Sequence, residues 1–100
     1  MDTATIKQIL LEELQKYAGK GLNADSYLTK DETAQVYTIV DIADVRGQRI
    51  IGTVLLVRLQ QSQIVIELDN NSKPLIDALL ARGVPEAQVI PAYQDTTIPA

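Results

Sequence analysis

Neither cysteine nor histidine occurs in these 100 residues, and the aromatic content is limited to four tyrosines. Without thiols there are no disulfides and no thiolate nucleophiles, and without imidazole the usual neutral-pH general base and nearly all zinc, copper and haem ligation are excluded. Nucleophilic catalysis would have to rest on Ser26, Ser62, Ser72, a threonine or a lysine with no imidazole to activate it, so an enzyme is not expected. Also missing are an amino-terminal basic region leading into an apolar core and any apolar run near the ~18–20 residues of a membrane span. The expected location is therefore the cytoplasm. Basic residues number nine against thirteen acidic ones, for a net charge of −4. They do not cluster: Arg46, Arg49 and Arg58 are spread along one predicted hairpin, which argues against direct nucleic-acid binding.

What is present is a globular composition, 46% hydrophobic and 22% charged, which predicts one domain over residues 1–100. A domain of this size buries only about 60–65% of its unfolded surface, so association with a partner is a common supplement to its stability. Apolar residues at helical spacing from Ile6 to Ala18 predict an amphipathic helix, with Thr3 or Thr5 as its cap and Gly19 at its end. The polar segment from Lys20 to Thr33 reads as an ordered loop or short edge strand, pinned by Leu22, Tyr27 and Leu28. Three strands follow, Gln35–Asp44, Arg49–Leu59 and Ser62–Leu68, with a turn at Val45–Gln48. In the second of them Ile51, Leu55, Val57 and Leu59 alternate with Ile50, Val54 and Leu56, so both faces are apolar. Asp69, Asn70, Asn71 and Ser72 then precede a helix with Pro74 in its first turn and Leu75, Ile76, Leu79 and Leu80 as its buried stripe. Gly83 ends it by permitting positive φ, Pro85 starts the next turn, and Val89 and Ile90 supply a short strand that Pro91 restricts to an edge. The tail from Gln94 to Ala100 reads as loosely held.

The expected fold class is thus α+β: an antiparallel β-meander of three to four strands with two helices packed on one face. Two helices cover one face of a sheet and not both, so the apolar residues Ile50, Val54 and Leu56 call for a partner subunit, and a homo-oligomer, dimer or higher, is expected. Arg49 and Arg58 on the same strand require exposure at its ends, a carboxylate partner or a subunit boundary, Asp41 across the hairpin being one choice for Arg49. Asp41, Asp44, Glu67 and Asp69 stand near the ends of adjacent strands. As hard oxygen donors they suit magnesium, and as exposed strand-end carboxylates they equally serve solubility and edge protection. No cofactor is expected.

From Gln63 to Tyr93, QIVIELDNNSKPLIDALLARGVPEAQVIPAY, the chain resembles the XisI-like family, the element excision controlling factors of cyanobacteria. Carrying the resemblance are Met1-Asp2, Tyr17-Ala18, Tyr37, Arg49 and Gly52, then Ile64, Ile66, Asp69, Leu79, Gly83-Val84-Pro85, Val89, Ile90 and Tyr93. The chain departs from the pattern at several places. Ala43-Asp44 stands for Gly-Trp, Leu56 and Arg58 for His and Asp, Gln61-Ser62 for Asp-Gly, Val65 for Trp, and QDTTIPA for a longer ending with a basic residue. The resemblance implies a non-enzymatic regulator of programmed DNA rearrangement, working beside an XisH-like protein and a site-specific recombinase. Two other readings compete on the residues: an oligomeric antitoxin-like module restraining a nuclease-like partner, and a metal enzyme built on Asp41, Glu67 and Asp69.

Overall fold

The structure, a computed structural model, describes residues 1–94, so all but the first residue of the expected loose tail lies outside it. Helix α1 (Thr3–Gln15) starts where the Asp2 carboxylate accepts the Thr5 N–H at 2.7 Å, so the cap is Asp2 and neither threonine. Its buried side chains Ile6, Ile9, Leu10 and Leu14 recur at the 3–4-residue spacing of one helical face. The chain then forms strands β1 (Gly19–Lys20), β2 (Ala24–Asp31), β3 (Val36–Val45), β4 (Gln48–Gln60) and β5 (Gln63–Asp69), helix α2 (Leu75–Ala81), a 3-10 turn at Glu86–Gln88 and strand β6 (Val89–Pro91).

The sheet has six strands in the order β1-β2-β3-β4-β5-β6, antiparallel except for the parallel pair β5 and β6. This corrects the expected antiparallel meander of three to four strands: β1 and β2 are additional, and the expected short strand β6 runs parallel. The segment expected as an ordered loop or short edge strand contains the eight-residue strand β2, paired with β3 throughout from Ala24↔Ala43 to Asp31↔Val36. Its Asp, Ser, Thr and Lys disguise it because a strand near an edge with one wet face tolerates polar residues. The parallel β6 needs a crossover, and α2 supplies it between β5 and β6.

One core lies between the helices and one face of the sheet. Ile6, Leu10 and Leu14 of α1 and Leu75 and Leu79 of α2 pack with Tyr37, Ile39, Leu55, Val57, Leu59, Ile64, Ile66 and Val89. Both helices therefore sit on the same side, as expected. Ile76 is only partly buried and Leu80 is exposed, so the stripe of this two-turn helix is narrower than its sequence suggests. The buried Tyr37 hydroxyl has no hydrogen-bond partner among the described residues, and burial raises its pKa.

Candidate interaction surface

The side of the sheet away from the helices is set by two β-bulges. Between β3 and β4 the register shifts at Ile39/Val40, so Ile39 faces Leu55 while Val40 faces Thr53. Val54 is the extra residue and joins Leu55 against the core. The shift reverses the expected faces of β4: Ile51 falls on the open side with Leu56, Val54 on the helix side. Strict alternation would have kept Ile51 with Leu55, and one inserted residue inverts everything beyond it. A second shift, between Leu56 and Val57, leaves Glu67 unpaired in β5 and turns it with Leu68 to the open side.

In this register the open side carries Tyr27 on β2, Val36, Val40 and Ile42 on β3, Ile51 and Leu56 on β4, Leu68 on β5 and Ile90 on β6. No described element covers it. Two pairs of its polar members bind each other. The Thr29 and Thr38 hydroxyls meet across β2 and β3, and Arg58 donates through Nε to Glu67 Oε2 at 3.0 Å. Arg58 is thus paired along the sheet and does not lie at a strand end, whereas Arg49 is exposed and sits opposite Asp44 in register, not Asp41.

Residues 44–53 at the β3–β4 turn form an exposed ribbon: 44–49 are its two-stranded tip, and 50–53 run on as the free edge of β4 beside β3 and β2, before β5 joins at Leu55. Its tip, Arg46-Gly47, has positive φ at both positions, 51° and 80°, the backbone that a two-residue hairpin turn requires. Ile51 on the open side is 65% exposed and Ile50 on the helix side is 52% exposed. The expected interface residues therefore separate: Leu56 lies on the open face, Ile50 on the ribbon's other face, and Val54 in the core.

The four carboxylates singled out as a group do not converge. Asp41 accepts from the Ser26 hydroxyl at 2.6 Å, Asp44 faces Arg49 and Glu67 holds Arg58. Asp69 organises the start of α2, accepting the Leu75 N–H at 2.8 Å and the Asn71 N–H at 3.1 Å. Among the described residues no group of three or more acidic side chains could hold a metal ion. Gly83 takes φ 89° after α2, and Pro85 precedes the turn at Glu86–Gln88.

On the opposite side, an open cleft of about 640 Å³ between the helices is lined by Glu13, Lys16, Tyr17, Ser72, Lys73 and Asp77. Its polar groups already bind one another. Glu13, 5% exposed, accepts from Lys16 at 2.8 Å and from Arg82 at 2.7 Å, and Arg82 also reaches Glu12 at 2.7 Å. The Lys16 hydrogen bond and the Arg82 guanidinium hold the Glu13 carboxyl below the usual range. Tyr17 donates to the Lys73 carbonyl at 2.6 Å, and burial pushes its phenol up to about 12. Sequence reasoning did not single out this clamp, because Arg82 and Glu13 are 69 residues apart and no local signal joins them.

The sequence matches the family described as XisI protein over residues 1–98. No curated protein matches it. Among solved structures, a XisI-like protein from Anabaena variabilis ATCC 29413 is similar with a TM-score of 0.70 at 15% identity, over 93% of this chain and 84% of that one. The fdxN element excision controlling factor XisI from the same organism is similar with a TM-score of 0.69 at 20% identity, over 96% and 97%. At these identities the two structures establish a shared fold.

Proposed function

The chain belongs to the XisI family, and from that premise we propose that it is a non-enzymatic, cytoplasmic regulator of DNA element excision that works through protein contacts. The observation that carries this reading is the open apolar face, running from Tyr27 through Val40, Ile42, Ile51 and Leu56 to Ile90, in which Arg58 is neutralised by Glu67. A surface of that kind is suited to polypeptide and offers a substrate no converging acid, base or nucleophile. An XisH-like protein is the proposed partner in control. DNA contact is left to that partner, since Arg46, Arg49 and Arg58 do not form a patch and the chain carries −4.

The test is a deletion strain scored by sequencing of excision junctions, complemented with the wild-type chain or with Leu56→Glu. Altered junction frequency, restored by the wild type and not by the variant, is the expected result, with a second protein recovered in stoichiometric amount on the tagged wild-type chain. Junction frequencies unchanged by deletion would overturn the proposal. Recovery of a nuclease that the chain silences, without any effect on junctions, would assign the restraining role instead.

A further inference from the structure

We propose that the open face is covered by a second copy of this chain, stacked sheet to sheet about a two-fold axis, so that the regulator is a homodimer. This deepens the reading of that face as a contact surface by naming its occupant. Three observations select a second copy.

The first is charge. On the open side β3, β4 and β5 carry Asp44, Arg49, Arg58 and Glu67, two of each sign, and the acidic excess of this face, Asp25 and Asp31, is confined to β2. Two copies of an acidic chain repel over most of their surface and can meet across the balanced β3–β5 part, with the β2 carboxylates toward the rim. A strongly charged partner gains nothing there. A two-fold axis sets each Arg58–Glu67 pair against an identical pair, with opposite charges able to face each other.

The second is area. Strands β2 to β5, with 8, 10, 13 and 7 residues, present on the order of 600 Å² of face per chain at about 3.3 Å per residue and about 4.8 Å between strands. Two such faces remove roughly 1,200 Å² from water, the lower bound of specific interfaces.

The third is pattern. Val36, Thr38, Val40 and Ile42 on β3 and Ile51 and Thr53 on β4 are β-branched side chains standing on one face of a twisted sheet. Two such faces interdigitate in the aligned stacking of β-sandwiches, about 10 Å apart.

Sedimentation velocity and light scattering on the full chain test this directly. The expected mass is twice the 11.0 kDa of one chain. Ile51→Glu, on the exposed ribbon where the fold of one copy does not depend on it, should raise the dissociation constant at least about thirty-fold. Its neighbour Ile50→Glu, exposed to a similar degree but on the other side of the ribbon, should leave the mass at that of a dimer. A monomeric wild type at micromolar concentration would overturn the proposal, as would an unaffected Ile51→Glu or an equal loss from Ile50→Glu. The readout uses the purified chain alone, so its failure removes the second copy while excision control is judged by its own assay.

Discussion

At the scale of single residues, the two helices are joined by a charge cluster more than by packing alone. Arg82 closes α2 and grips Glu12 and Glu13 of α1, and Glu13 is almost wholly removed from water. Replacing Arg82 by Ala leaves that carboxylate with Lys16 only, and hydrogen bonds to charged groups are worth about 1.5–3 kcal/mol each. Arg82 itself stands partly in water and its Glu12 contact is screened, so the expected outcome is a fall of a few degrees in Tm, read by thermal denaturation. The pH dependence has a definite sign. Glu13 is depressed in the folded state, so its contribution is complete above the unfolded-chain value of about 4.3 and disappears as pH falls through the lowered folded-state value. The gap between wild type and Arg82→Ala should therefore close in acid and be constant near neutrality.

Among the elements, the turns and bulges decide more than the strands. Gln61 and Ser62 both take positive φ, 51° and 63°, between the paired residues Gln60 and Gln63, a geometry that Asn-Gly or Asp-Gly would adopt without strain. The resemblance to a pattern with Asp-Gly at this turn fits that geometry, and this chain meets it with two residues that pay for it in backbone strain. Gln61→Gly should add about 0.5–1 kcal/mol, the relief of a left-handed residue less the added freedom of the unfolded chain. A rise of a few degrees in Tm would show it, and no change would mean the turn is relaxed. Residue by residue, α1 was legible from the spacing of Ile6, Ile9, Leu10 and Leu14, and α2 from Pro74, Leu75, Leu79 and Gly83. The bulge at Val54 was not, because Val, Leu and Leu in succession fit either face and only the pairing with Ile39 and Val40 chooses. Strand β2 was hidden for a related reason: Asp25, Ser26, Thr29 and Lys30 look like a loop until β3 is laid beside them.

For the whole molecule, one covered face and one open face make stability depend on company. If the open side is shared between two copies, unfolding is coupled to dissociation, and Tm should rise by a few degrees for each tenfold increase in chain concentration above the dissociation constant. The same scan on Ile51→Glu should be flat. The candidate surface was legible as a need, since two helices cannot cover a sheet whose central strand is apolar on both sides. Its membership was not: Leu56 and Arg58 belong to it, Ile50 and Val54 do not, and Ile51 and Ile90 join it through register.

The residue list by itself determined the chemistry this chain lacks, the helices and the family to which it belongs, because composition, helical periodicity and local motifs are properties of neighbours along the chain. Tertiary structure alone decided which side of β4 meets the core, that β6 runs parallel to β5, and that Arg82 reaches Glu13. Each of those depends on segments far apart in sequence, and a shift of one residue in strand pairing exchanges the two faces.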